Sequence, residues 1–193
     1  MRTPAPPLLP IFRSELQGRL LAFLYSNPDR GQSITALARR SASHIATVQR
    51  EVERLEEAGI LVSERVGRTR LVRPNLLSPY ADDLGSLVLK AFGPVRVLGD
   101  LLSAIPGVGR AYVFGSWADR YRGVRGPASA DIDVLVIGRP DRDAIDQAAL
   151  DARERMGREV NITIRSRKAW ERGDDGFLQG VRAGNLVPIE LES

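Results

Sequence analysis

Cysteine is absent from this 193-residue chain, and histidine occurs once, as His44. The first absence excludes disulfides, thiolate zinc sites and a cysteine nucleophile. The second excludes a multi-histidine metal site and most histidine-dependent catalytic triads. No apolar run approaches the roughly 18–20 residues that span a bilayer, so no membrane partner is expected. The first ten residues hold four prolines and one arginine but no signal-peptide core, so the expected compartment is cytoplasmic. What these absences leave for enzyme chemistry is carboxylates acting with hard cations such as Mg²⁺.

Lysine is also scarce: only Lys90 and Lys168 occur among 28 basic residues. The charge is unevenly spread. Residues 1–75 carry 12 arginines against 7 acids, a net of +5, whereas residues 76–193 carry 16 basic against 17 acidic side chains, a net of −1. A small basic module suits a polyanion, usually nucleic acid, although a solvated basic face would have the same composition.

The basic part reads as helix, helix, turn, helix, hairpin. Ser14 caps the first helix, with Gln17 three residues later as a capping-box partner and Leu16, Leu20, Phe23 and Leu24 at helical spacing. Ser33 caps a short second helix that buries Ile34, Leu37 and Ala38. A tight turn at 41–43 leads to a third helix over about 44–58, stopped by Gly59. Strands follow at 60–66 and 69–73, joined by a tip at Gly67-Arg68. On the third helix, 100° per residue puts Ile45, Val48, Val52 and Leu55 on one apolar stripe. Ser43, Ala46, Thr47, Arg50 and Arg54 fall on the opposite side. An apolar back and a front of small polar residues and arginine suit a major groove, where arginine bonds guanine and serine or threonine bonds bases or phosphates. Arg65, Arg68, Arg70 and Arg73 crowd the hairpin, within reach of phosphates or a minor groove. His44, at the start of the third helix, reads as a partly packed or phosphate-contacting side chain.

This stretch, through "SASHIATVQREVERLEEAGILVSERVGRTRLVRPN", resembles ArsR/MarR-type bacterial winged-helix regulators. The resemblance implies double-stranded DNA as partner and makes a homodimer plausible, because such regulators often read two half-sites. Residues 76–108 read as a helical linker, with Ser78-Pro79 opening one helix and Gly93-Pro94 separating it from another.

The neutral part carries a chemical motif. A buried strand, Ala111-Tyr112-Val113-Phe114, runs straight into Gly115-Ser116 and the start of a helix. Free N–H groups and a hydroxyl at that point suit phosphate. Further on, Asp131-Ile132-Asp133 opens the strand Val134-Leu135-Val136-Ile137. Aspartates at i and i+2 of a strand share a face and can share a hard divalent cation.

Together, "FGSWADRYRGVRGPASADIDVLVIG" resembles the nucleotidyltransferase fold of the DNA polymerase β type, close to minimal bacterial members. That resemblance implies that Gly115 and Ser116 hold nucleotide phosphates, that Asp131 and Asp133 bind Mg²⁺ and form the catalytic pair of an active enzyme, and that a nucleoside triphosphate is substrate or effector. It also implies a third carboxylate on a later strand. In "GREVNITIRS" Asn161 occupies that place, and an amide cannot serve as a general base. Glu159 lies on the same strand face two residues earlier. Arg120, Arg122 and Arg125, around Gly123 and Gly126, could touch a triphosphate. The basic run 165–168 could extend a nucleic-acid surface. A helix over 141–157 turns Ile145, Ala149, Ala152 and Met156 inward, Trp170, Phe177, Leu178 and Val181 belong to a covering helical segment, and 187–191 forms a final edge strand.

The expected fold class is therefore α+β: a tail (1–12), a winged helix-turn-helix (13–75), a helical linker (76–108), and a nucleotidyltransferase-fold domain with a mixed sheet flanked by helices (109–193). This combination resembles a bacterial and archaeal group described as transcriptional regulators. The reading favoured by Asn161 is a DNA-binding regulator whose second domain binds nucleotide and Mg²⁺ as sensor or weak enzyme. The alternative is an active Mg²⁺-dependent nucleotidyltransferase whose winged helix recruits a nucleic-acid or protein substrate.

Overall fold

The computed structural model describes residues 11–124, 131–173 and 175–191. The chain divides into two compact units between Gly93 and Pro94. Among the described residues no helix is long and apolar enough to cross a membrane.

The first unit runs α1 (Glu15–Ser26), β1 (Gln32–Ser33), α2 (Ile34–Arg40), α3 (Ile45–Glu57), β2 (Leu61–Val66), β3 (Thr69–Pro74) and α4 (Ala81–Phe92). This is the winged-helix order. β2 and β3 form the hairpin, and β1 pairs with β3 on the other side, so the sheet order is β1-β3-β2. The two-residue β1 is too short to announce itself in the sequence. Ser14 caps α1 by accepting from the Gln17 amide nitrogen. The capping box is not reciprocal, however: the Gln17 side chain accepts from the Arg13 N–H and spends its own donor elsewhere. Ser33 caps α2 as its sequence position implies, and Gly59, at φ +69°, ends α3.

α1 is buried around its whole circumference from Leu20 to Ser26. The reason is α4, which the linker reading had set outside this domain. α4 packs on α1, and the two helices interlock through their small residues. Gly18 of α1 leaves room for the Phe92 ring, and Gly85 of α4 leaves room for Tyr25. Phe12 meets Phe92 edge to face at 5.2 Å. Residues 76–108 therefore split, with α4 in the first unit's core and the next helix in the second unit. α4 begins at Ala81 rather than at the expected Ser78-Pro79 cap, because residues 78–80 close a turn in which the Ala81 N–H donates to the Ser78 carbonyl.

The second unit runs α5 (Pro94–Leu102), β4 (Val108–Phe114), α6 (Ser116–Tyr121), β5 (Asp131–Gly138), α7 (Arg142–Met156), β6 (Glu159–Arg165), α8 (Arg167–Arg172), α9 (Gly176–Ala183) and β7 (Val187–Ile189). Its sheet has the order β6-β5-β4-β7. β5 is parallel to β6 and antiparallel to β4, and β4 is antiparallel to β7, so the sheet is mixed. Alternation sorts the strands' side chains. Ile132, Val134 and Val136 are buried on one face. On the other, Leu135 and Ile137 pack with Leu178 and Val181 of α9, together with Tyr112, Phe114, Trp170 and Phe177. α7 packs on β6, and α5 on α7 and β7. α7 buries Ala148 rather than the expected Ala149, beside Ile145, Ala152 and Met156.

Candidate nucleic-acid interface and acidic site

The outer surface of α3 depends on what fixes its inner one. Val48, Val52 and Leu55 are buried as the stripe requires. Ile45 is not: it is 52 % exposed. It sits in the first turn of α3 and borders an open hollow of about 420 Å³ shared with Thr35 and Ala38 of α2. The side chain that does turn inward is Glu51, buried although charged. One carboxylate oxygen accepts from Gln17 Nε2 of α1 at 2.9 Å and the other from Arg54 Nη1 at 2.7 Å. A buried carboxylate is tolerated only with such partners. Gln17 and Glu51 thus pin α3 to α1. The sequence marks Gln17 only as a capping-box residue and gives no sign of its bond to Glu51, because 34 residues separate them and no local pattern joins them.

The same bonds sort the predicted contact residues. Arg54 belongs to the Glu51 ion pair, so its guanidinium is partly committed within the protein. Arg70 is committed as well, donating to Glu56 at the end of α3 and to Ser63 Oγ, while Ser63 also bonds Glu56. This cluster fastens the hairpin to α3. Arg73 lies 3.7 Å from Glu64 on the neighbouring strand. By contrast Arg50 is exposed, and among the described residues its one bond is to the Ala46 carbonyl of its own helix, at 3.4 Å. Arg65 and Arg68 are exposed on the hairpin with no ion pair among the described residues. Ser43, just before α3, bonds the Ser41 carbonyl, and Thr47 is half-buried in the first turns. His44 is the exposed N-cap residue of α3, and its ring makes no capping bond.

In the second unit, β4 delivers the chain to Gly115, and β5 starts beside it. Phe114 of β4, Asp133 of β5 and Asn161 of β6 stand in register across the sheet. Asn161 Nδ2 donates to Asp131 Oδ2 at 3.0 Å and to Asp133 Oδ1 at 3.3 Å. Burial pushes the Asp133 carboxyl above its ordinary value; the Asn161 bond pulls it down, and the like charge of Asp131 pushes it up again. Gly115 has φ +70°, and a Cβ there would lie 3.1 Å from Asp133 Oδ2. Both facts call for glycine, and they bring the backbone of the β4–α6 turn against the acid pair. Ser116 opens α6 and is exposed.

Two carboxylates and one amide make an oxygen-donor set for a hard cation once the carboxamide presents its oxygen. Among the described residues no cluster of three or more His, Cys, Asp or Glu forms. Glu159 stands in register with Asp131, but its carboxylate pairs with Arg153 of α7 at 3.1 Å. The arginines expected to reach a triphosphate are held otherwise. Arg120 lies over the Trp117 ring and Arg122 donates to the Leu186 carbonyl; Arg125 and Gly126 lie outside the described residues. Arg165 pairs with Asp175 at 3.0 Å and covers the Phe177 ring, so the basic run 165–168 is not one continuous surface.

No family model matches this chain, and no curated protein does. Among solved structures it is similar to MepR, described as a transcription regulator of the Staphylococcus aureus multidrug efflux pump MepA. The identity is 17 % and the TM-score 0.38, over 43 % of this chain and 60 % of that one. A likeness of that size carries no argument about function.

Proposed function

We propose that this protein is a regulator that binds double-stranded DNA through α3 and the β2–β3 hairpin, and whose second unit binds a nucleoside triphosphate with Mg²⁺. The observation that carries the DNA half is the division of labour on α3: its inner side is bolted to α1 by Glu51, while Arg50 is exposed and has no acid partner among the described residues. With the hairpin tip Arg68 and with Arg65, it offers cations to bases and phosphates. Arg70 and Arg54 position rather than read.

The nucleotide half rests on Asp131, Asp133 and Asn161 beside the glycine turn. Asp131 and Asp133 would hold Mg²⁺, which would offset the repulsion of the two carboxylates and supply positive charge for a phosphate. Asp131 and Asp133 supply the anionic oxygens, Asn161 orients them, and Gly115 lets the backbone of the turn come close. No side chain in the set is a spare base for an acceptor hydroxyl: Asn161 is an amide and Glu159 is engaged by Arg153. Binding without turnover is therefore favoured over nucleotidyl transfer.

The test is retention of labelled nucleoside triphosphate by the whole protein with Mg²⁺, alongside duplex DNA binding. The wild type retains nucleotide, and Asp131→Ala with Asp133→Ala loses at least a hundredfold in affinity while duplex binding stays within about twofold. Transfer of label to any acceptor, lost in the double variant, would replace the sensor reading with the enzyme.

A further inference from the structure

At the opposite end of the second unit's sheet lies a hollow of about 400 Å³ that the proposed function does not use. Its walls include Arg110 of β4, Arg167 of α8, Arg182 of α9, Trp170, and the backbone of Gly109 and Gly138. It opens on the sheet face that also carries Asp133, but at the Ile137 end of β5, four residues or about 13 Å along the strand. A register shift between Val108 and Arg110 makes Gly109 a bulge, and beyond it Arg110 joins Tyr112 and Phe114 on the α8–α9 side.

The arginines here differ from three others of this unit that are tied to acids. Arg96, Arg153 and Arg165 each have a carboxylate at 3.0–3.3 Å. Arg110 has no acid partner among the described residues, and Arg167 reaches Glu171 only at 3.9 Å, with both side chains well exposed. Arg182 lies 4.2 Å from the centre of the Trp170 ring and donates to the Trp170 carbonyl, which fixes its guanidinium in place. Tyr112 stacks on the same indole at 5.6 Å. The aromatic group thus serves as a platform for Arg182, and in a largely apolar lining the cationic groups that the hollow offers a ligand are guanidinium N–H donors. Three arginines against Glu171 leave a formal charge of +2, which a phosphate dianion neutralises. The volume lies in the range of small-molecule sites, and the hollow is a half-open recess whose three arginines gather around one place.

We propose that this hollow is a second binding site, for the phosphate group of a small phosphorylated molecule, and that it is independent of the Asp131/Asp133 site. The probes are inorganic phosphate and ribose 5-phosphate, titrated into the whole protein by calorimetry in EDTA so that no divalent cation is present. Citrate and a short single-stranded oligonucleotide serve as rival anions. Both phosphates should bind saturably in the micromolar to millimolar range, ribose 5-phosphate the more tightly. Arg110→Gln and Arg167→Gln should each weaken them about tenfold or more, and the Asp131/Asp133 double variant should bind them as the wild type does. Both arginines are on the surface, and melting curves confirm that each variant is folded. The proposal is overturned by absence of saturable phosphate binding, by unchanged affinity in both arginine variants, or by loss of binding in the aspartate variant. Equal or tighter binding of citrate overturns the phosphate assignment, and binding of the oligonucleotide alone overturns the small-molecule one.

Discussion

The α3–hairpin surface and the acidic site of the second unit treat charge in opposite ways. Around α3 and the hairpin, acids and bases come in matched sets: Glu51 with Arg54 and Gln17, Glu56 with Arg70 and Ser63, Glu64 with Arg73. Each set holds one element against another, and Arg50, Arg65 and Arg68 are left without an acid partner among the described residues. In the second unit the acids Asp131 and Asp133 are gathered against each other with a neutral amide between them, and the charge that acts on Asp133 is of its own sign. Matched charges fix geometry, whereas gathered like charges leave a demand that only a cation can meet. A surface of the first kind is ready to dock, and a site of the second kind is completed by what it binds.

The comparison is broken most severely at Glu51. Glu51→Ala removes the carboxylate that joins α1 to α3 and leaves the Gln17 amide without its acceptor. A stability loss of about 1–3 kcal/mol is expected by denaturant unfolding, with Arg54 spared a larger penalty because water reaches it. Duplex binding should weaken too, since α3 loses its anchor. An E51A protein as stable as the wild type would show that the ion pair does not fix the helix.

Next in size is the contrast between two arginines on one helix. Arg50→Ala should weaken duplex binding about tenfold and relax sequence preference, by the 1–3 kcal/mol of a base contact. Arg54→Ala should cost DNA affinity less, because its guanidinium is already shared with Glu51. Electrophoretic mobility shifts on a selected duplex, at fixed salt, separate the two, and equal losses would remove the distinction between reading and positioning.

The smallest effect belongs to Asp133. Its carboxyl titrates above its ordinary value in the folded protein. For an acid shifted this way, the folded state gains stability below the unfolded value and loses it as pH rises through the folded one. Asp133→Asn should therefore melt slightly higher than the wild type near pH 7, the gap closing as pH falls into the carboxylate range. The same variant should bind Mg²⁺ less well, and wild-type Mg²⁺ affinity should fall as acid protonates Asp133. A variant that melts lower at neutral pH would mean that the bonds to the carboxylate outweigh its burial and the like charge of Asp131.

Much of this was legible from residue order. Ser33 and Gly59 mark helix ends by local chemistry. The alternation through Asp131 to Ile137 identifies a strand with both aspartates on one face. Val160 and Asn161 likewise face opposite ways. The interior of α3 was misjudged at Ile45, because periodicity gives the direction of a side chain and not whether a neighbour lies there to cover it. The boundary between units was misplaced for a related reason. Gly18 and Gly85 look like weak points in their helices until Phe92 and Tyr25 are seen to fill them.

The sequence by itself determined most of the elements, their order, and the apolar face of the strands and of most of α3, because caps, turns and periodicity act over a few residues. It also brought Gly115-Ser116 and Asp131-x-Asp133 into view as chemistry. Only the tertiary structure decided which arginines remain available, that Asn161 bridges the two aspartates while Glu159 turns to Arg153, and that Arg110, Arg167 and Arg182 surround one hollow. Those outcomes depend on partners 3 to 72 positions apart in the chain, and over the longer of these spans the pairing of charges is set by packing, which no local rule encodes.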